Sequence, residues 1–123
     1  MSIVLLVYKN RHNNVLYFYY QKAYINRGHA KIQLNDYSGA IADSTKAIEI
    51  NPENEKAYIN HGYAKIQLKD YSGAIEDLSK VIELNPNNRI ALREMLKIIK
   101  KSKNAINSKK ISLGVYIGEQ PLS

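Results

Sequence analysis

Side chains capable of acid–base or metal chemistry are few in this chain of 123 residues. It contains no cysteine, and its three histidines are His12, His29 and His61. None of them has a carboxylate or another histidine three or four residues away, the spacing that sets two ligands on one helix face. Glycine-rich phosphate-binding motifs are absent as well. The sequence therefore predicts no catalytic residue, no metal site and no cofactor, and we expect a protein that is not an enzyme.

The remaining polar and apolar segments add no catalytic or membrane signal. Glu49 and the adjacent Glu76 and Asp77 fall on polar helix faces, where solvated carboxylates are the usual outcome. The absence of cysteine excludes a disulfide framework and fits a cytoplasmic protein. The apolar run Ile3–Val7 is too short to span a bilayer, and its basic residues follow it, so neither a transmembrane segment nor a signal peptide is predicted.

The elements that could position a site recur along the chain. Residues 21–54 align without gaps on residues 55–88 and are identical at 24 of 34 positions. A fixed period of this length is typical of a solenoid, in which copies of one supersecondary unit stack on each other.

The sequence of each repeat predicts two amphipathic helices, because its apolar residues recur at intervals of three and four. Asp36 and Asp70 precede the second helix of each repeat and are suited to cap it. Pro52 and Pro86 follow the second helices and must end them. The predicted fold class is therefore all-α, built from helix–turn–helix units.

Two pairs of glycines have different predicted roles. Gly28 and Gly62 lie in the middle of the first helices, where the missing side chain lets a neighbouring helix approach closely. Gly39 and Gly73 lie in the first turn of the second helices, where we interpret them as tolerated weak points.

Three differences separate residues 23–41 from residues 57–75. Positions 35 and 69 hold asparagine and lysine in a turn, and we expect this change to be neutral. Positions 27 and 61 hold arginine and histidine on a packing side. Only the change from histidine to tyrosine at positions 29 and 63 is expected to alter a binding surface.

The repeated unit resembles the tetratricopeptide repeat over residues 21–88. The pattern AYxNRGxAKxxLxDYxxAIxDxxKAIEINP is similar to a subtype common in bacterial members. The shared positions are Tyr24, Gly28, Ala40, Ala47 and Pro52 in the first repeat and Tyr58, Gly62, Ala74 and Pro86 in the second. The departures are Arg27 and His61 for leucine, Lys31 and Lys65 for tyrosine, and Val81 for a small alanine. The resemblance implies an α-solenoid of two tetratricopeptide-like repeats that acts as a scaffold for protein–protein interaction.

The flanking segments depart from the repeat. Residues 1–20 are predicted to be a partly helical N-terminal extension, and residues 89–103 a helix that caps the last repeat. Residues 104–123 are predicted to be a basic tail, either disordered or with a short strand in the alternating segment Ile111–Ile117. Residues 89–123 carry eight basic and two acidic side chains in a chain of net charge +7.

The resemblance also implies a binding site, because the first helices of such repeats line a concave groove that takes a peptide or a partner helix. Its amides suit a peptide backbone, its isoleucines form apolar pockets, and its lysines attract acidic groups. Position by position, the peptide-binding groove comprises Lys22, Ile25, Asn26, His29, Ile32, Gln33, Lys56, Ile59, Asn60, Tyr63, Ile66 and Gln67.

Other functions remain open at this point. Some family members clamp the carboxylate of chaperone tails, and here Asn60 matches that set, but Ile25, His29, Ile90 and Glu94 replace its other members, so this activity is not predicted. The basic C-terminal residues suggest weak contact with RNA or an anionic membrane, with no specific nucleic acid predicted. Two repeats are fewer than the roughly three usually needed for stability, which makes a self-associating, homo-oligomeric assembly protein a further alternative.

Overall fold

The computed structural model describes residues 14–113, and that part of the chain contains helices and no strand. The prediction of an all-α solenoid with two helix pairs and a C-terminal helix is confirmed. The apolar run Ile3–Val7 and the residues after Leu113 lie outside the described residues. In chain order, the helices are α1 (Asn14–Gln33), α2 (Tyr37–Ile50), α3 (Glu55–Gln67), α4 (Tyr71–Leu84) and α5 (Arg89–Leu113).

The predicted helix caps are present in both repeats. The Asp36 carboxylate accepts a hydrogen bond from the Gly39 amide at 3.0 Å, and Asp70 accepts one from Gly73 at 3.0 Å. Asn54 caps α3 in the same way, at 3.1 Å from the Ala57 amide. Each bond satisfies a backbone donor that has no partner inside its helix, so the sequence itself fixes where the helices begin.

The turn between the helices of each repeat has the same backbone conformation, although one copy holds asparagine and the other lysine. Asn35 has φ 61° and Lys69 has φ 65°, which is left-handed backbone. Asparagine adopts this conformation more readily than lysine does. The Tyr37 hydroxyl also donates to the Asn35 side chain at 2.9 Å. The turn of the first repeat therefore holds the residue that adopts left-handed backbone more readily.

The first pair of glycines has the predicted role. A Cβ on Gly28 would lie 3.5 Å from the Cβ of Asp43, and one on Gly62 would lie 3.2 Å from the Cβ of Asp77. The second helix of each repeat therefore packs directly on the glycine of the first.

The second pair of glycines has less space around it than the first. A Cβ on Gly39 would lie 2.7 Å from Cγ of Asp36 and 2.8 Å from Cδ of Lys31, and one on Gly73 would lie 3.0 Å from the matching atoms of Asp70 and Lys65. These distances are shorter than ordinary contacts between carbon atoms. A Cβ at either site would require the capping carboxylate or the lysine stem to shift.

The core is built from small side chains where helices cross. Each helix packs on the next in the chain, and the first helices α1, α3 and α5 also contact their nearest counterparts. The alanines at these crossings are completely buried, and larger side chains such as Ile50, Leu78 and Val81 fill the space beside them. The completely buried alanines are Ala40, Ala47, Ala57, Ala64, Ala74 and Ala91.

An amide cluster joins each first helix to the turn that follows its repeat. Gln21 Oε1 accepts hydrogen bonds from the side chains of Asn51, at 2.9 Å, and Asn54. In the second repeat, Glu55 Oε1 accepts from Asn85 and Asn88, both at 3.1 Å. The exchange of glutamine for glutamate between the repeats preserves the acceptor.

The C-terminal helix is longer than predicted. α5 continues to Leu113 rather than ending at Lys103, so the first residues of the predicted strand Ile111–Ile117 are helical. No glycine or proline occurs between residues 89 and 113, and the next glycine along the chain is Gly114. Without a helix-breaking residue the helix extends through this segment, and alternating apolar residues alone do not define a strand.

Candidate peptide-binding groove

The three first helices enclose a hollow of about 550 Å³. It lies where α1, α3 and α5 run side by side, and apolar side chains sit between polar ones along its wall. Six of the predicted groove residues meet in it, together with one residue of α5. The lining consists of Ile25, Asn26, His29, Lys56, Ile59, Asn60 and Ile90.

Two neighbouring hollows extend this surface at both ends. One of about 500 Å³ brings Lys22 together with Phe18 and with the turn from Asn51 to Asn54. The other, of about 330 Å³, brings Tyr63, Ile66 and Gln67 against α5. Ile32 and Gln33 line none of these three hollows, and Gln33 Nε2 instead lies 3.5 Å from His29 Nε2.

The two groove asparagines differ, although the sequence makes them equivalent. Asn26 is exposed, whereas Asn60 is buried. The side-chain amide of Asn60 donates to the backbone carbonyl of Ile25 at 3.3 Å and so joins α3 to α1. Ile66 is buried as well and belongs to the core cluster. Asn26 is therefore the asparagine with both polar atoms free of a described partner, and Asn60 also has a packing role.

The predicted groove residues include none from α5, which contributes Ile90 to the central hollow. Residues 34 positions after the groove residues of α3 fall on α5, which keeps the phase of a first helix. This register signal was available in the sequence. The positions it identifies are Ile90, Arg93, Glu94, Lys97, Lys100 and Lys101.

The α5 end of the groove is basic. Lys97 Nζ lies 3.1 Å from Glu94 Oε1, and Lys101 Nζ lies 5.7 Å from the centre of the Tyr71 ring. Glu94 is buried, while Lys97, Lys100 and Lys101 are exposed. The exposed charges at this end of the groove are thus positive and suit acidic ligand groups.

A buried carboxylate behind the groove is held by two cations. Asp43 of α2 lies 2.7 Å from Arg27 Nη2 and 3.1 Å from Lys31 Nζ, both on α1. The Arg27 hydrogen bonds hold the pKa of the Asp43 carboxyl below its usual value, against the opposing effect of burial and with help from Lys31. The same contacts raise the pKa of Arg27. These ion pairs therefore connect α1 to α2 in the first repeat.

The second repeat corrects the prediction that Asp77 is solvated. Asp77 is buried, with His61 Nδ1 2.7 Å and Lys65 Nζ 3.5 Å from its Oδ2. His61 Nε2 lies 3.2 Å from the Thr45 hydroxyl, which donates to the backbone carbonyl of Ile41 at 2.7 Å. Both ring nitrogens therefore lie within hydrogen-bond distance of an oxygen atom, one on Asp77 and one on Thr45.

Residues 14–113 contain neither a cluster of metal ligands nor a membrane-spanning helix. In that range no group of three or more histidine or acidic side chains is placed to hold a metal ion. None of its helices has both the length and the apolar character that a membrane crossing requires.

Stacked helix pairs with a groove along the first helices define an α-solenoid. The family model of the tetratricopeptide repeat matches residues 21–54 and 55–88. The chain therefore belongs to the tetratricopeptide repeat family. Among curated proteins, none matches it.

Solved structures of tetratricopeptide domains resemble this chain. The first such domain of Spaghetti (RPAP3), bound to the HSP90 peptide SRMEEVD, is 31% identical over 68% of this chain and 66% of that chain, with a TM-score of 0.66. The Arabidopsis OM64 domain is 32% identical over 66% of this chain and 67% of that chain, with a TM-score of 0.64. The Hsp90 co-chaperone Cns1 from Saccharomyces cerevisiae is 26% identical, with a TM-score of 0.67, over 82% of this chain but only 32% of that chain.

Proposed function

We propose that this chain is a non-catalytic interaction module that binds a peptide or a partner helix in the groove along α1, α3 and α5. The observation that carries this proposal is the hollow in which Ile25, Asn26, Lys56 and Ile59 meet. Ligand sites combine apolar walls with a few convergent polar groups, and this hollow has both. The chain's helices provide a rigid frame for these side chains.

Individual residues of the groove would make different contacts with a ligand. Asn26 is exposed and offers a donor and an acceptor to a peptide backbone. Lys22 and Lys56 are exposed at the same end and attract acidic ligand groups. Ile25 and Ile59 are half-buried, so their outward surfaces supply apolar contact without weakening the core.

The ligand that we propose differs from the chaperone tail bound by the RPAP3 domain. Tail binding of that kind needs cations and amides at positions where this chain has Ile25, His29, Ile90 and Glu94. An internal acidic segment of a partner fits the remaining lysines better.

Selection from a displayed library of random peptides against the full chain would test the proposal. The affinity of the selected peptides is then compared between the native chain and the Lys22→Glu/Lys56→Glu variant. Both lysines are exposed and occupy the same position in the two repeats, so the fold is expected to survive. We expect at least about tenfold weaker binding, because charge reversal repels acidic residues.

A matched control is available on the opposite helices. Lys46→Glu/Lys80→Glu changes the net charge by the same amount at equivalent positions of α2 and α4, outside the three hollows. Equal losses in both double variants would show that total charge rather than the groove governs binding. Unchanged affinity in Lys22→Glu/Lys56→Glu would exclude this end of the groove.

A further inference from the structure

The first helix has an exposed apolar face that is separate from the groove. Its residues recur at intervals of three, four and seven, which places them on one side of α1. Leu16 and Tyr19 are 44% and 62% exposed, and Ala23 and Ala30 are exposed as well. We call this surface the open face; it comprises Leu16, Tyr19, Ala23 and Ala30.

The second repeat shows what this face accommodates. Ala57 and Ala64 occupy the positions of Ala23 and Ala30, and both are completely buried. The helix that packs on this side of α3 is α2, the second helix of the preceding repeat. Identical residues in identical register are thus covered by a helix in one repeat and exposed in the other.

The charge beside the open face limits what can cover it. Residues 14–33 contain three basic and no acidic side chains. Arg27 lies at the edge of the face with a side chain that is 61% exposed, and its pair with Asp43 uses two of the five guanidinium donors. In the second repeat, His61 at this position contacts Thr45 of the covering helix at 3.2 Å. An acidic residue in the place of Thr45 would meet Arg27.

A second copy of the chain is a poor occupant on the same grounds. The other exposed apolar helix face carries Leu92, Leu96 and Ile99 on α5, at 43%, 57% and 55% exposure. Lysines flank that face, so it would meet the basic α1 of another copy with like charge. Like charges across an interface disfavour association.

We propose that the open face of α1 docks an amphipathic helix of a partner protein. The helix presents alanine and isoleucine on one side, as α2 does, and an acidic residue at its margin opposite Arg27. This surface is independent of the groove, so the module can hold two partners at once.

A helix of the chain's own sequence serves as the probe. The peptide of residues 36–51 contains α2, and a lactam between Ala42→Glu and Lys46 keeps it helical through two exposed positions. Its affinity for the full chain is measured by fluorescence anisotropy. We expect saturable binding that weakens at least about tenfold in Ala23→Gln/Ala30→Gln, since polar side chains would cover the face.

Matched variants distinguish peptide binding at the open face from general effects of substitution on the chain. Ala42→Gln/Ser79→Gln in the full chain enlarges two exposed small residues of α2 and α4 and should leave the affinity unchanged. Thr45→Glu in the peptide should tighten binding about threefold, and Thr45→Lys should weaken it about threefold. Arg27→His in the chain should reduce the difference in affinity between the Thr45→Glu and Thr45→Lys peptides. This variant is expected to fold, because histidine occupies the equivalent position 61.

Several results would overturn the proposal. No saturable binding, or equal binding to native and Ala23→Gln/Ala30→Gln chains, would show that the face takes no helix. Binding that occurs only after removal of residues 2–13 would assign the face to the chain's own N-terminal segment. A dimer in sedimentation velocity that Ala23→Gln/Ala30→Gln dissociates would assign it to a second copy.

Discussion

The guanidinium of Arg27 donates two hydrogen bonds to the buried carboxylate of Asp43 across the α1–α2 interface. The distance from Nη2 to Oδ1 is 2.7 Å, and the distance from Nε to Oδ2 is 2.9 Å. His61 and Asp77 form the equivalent contact in the second repeat at 2.7 Å. A buried carboxylate without a partner is costly, so each repeat needs a donor at this position. The sequence difference between the copies changes the donor and keeps the contact.

The Asp43 pair predicts a specific loss of stability in acid. Because the folded state lowers the pKa of Asp43 below its usual 3.8, its stabilising effect is complete above that value and is lost as the pH falls through the lowered pKa. Asp43→Asn should therefore be less stable near neutral pH and should show a shallower loss of stability below about pH 4. Urea unfolding at a series of pH values measures both slopes, and parallel curves would contradict the assignment.

Gly39→Ala should destabilise the protein, although alanine usually stabilises a helix by about 1 kcal/mol relative to glycine. The added Cβ would lie 2.7 Å from Cγ of Asp36, so the cap or the Lys31 stem must move. We expect a loss of about 1–2 kcal/mol in urea unfolding. Gly73→Ala has slightly more space, at 3.0 Å, and should lose less. A gain of stability in both variants would support the interpretation of these glycines as tolerated weak points.

Lys69→Asn should stabilise the second repeat by about 0.5–1 kcal/mol, because asparagine accepts the left-handed backbone at φ 65° more readily. It also creates an acceptor for the hydroxyl of Tyr71, as Asn35 does for Tyr37 in the first repeat. The reverse change, Asn35→Lys, should cost a similar amount. Thermal unfolding of the two single variants measures both signs, and equal signs would contradict this account of the turn.

Ser44→Ala should stabilise the protein by about 1 kcal/mol. The Ser44 hydroxyl is completely buried and has no hydrogen-bond partner among the described residues. Ser79→Ala changes an exposed serine in the middle of α4 and reports the helix-propensity gain alone. If the two variants gain the same amount in chemical unfolding, the buried hydroxyl carries no penalty.

Local sequence was sufficient to predict the helix pairs, the Asp36 and Asp70 caps and the close approach at Gly28. The helix pairs and the caps depend on spacing and on contacts within a few residues, and Gly28 is recognised by its place in the middle of a helix. The burial of Asp77 and the Lys31 stem that lies over position 39 depend on neighbours from other helices. Hydrophobic periodicity does not register a salt bridge between residues sixteen positions apart.

The groove residues illustrate the same limit. Asn26 and Asn60 are indistinguishable in the sequence, yet only Asn60 is held by a backbone carbonyl of the preceding first helix. The difference arises because α3 has a first helix on its N-terminal side and α1 has none among the described residues. Position within the stack, rather than residue type, decides which amide is available to a ligand.

Amide chemical-shift mapping of the full chain with a library-selected acidic peptide tests the central claim most directly. A groove ligand should shift the amide signals around Asn26 in α1, Ile59 in α3 and Ile90 in α5, and leave the exposed sides of α2 and α4 unchanged. Without peptide, the spectrum of the Lys22→Glu/Lys56→Glu chain should differ from the native one only around residues 22 and 56, and its shifts with peptide should be much smaller. Shifts confined to α2 and α4, or undiminished in that variant, would contradict the assignment of the groove as the binding surface.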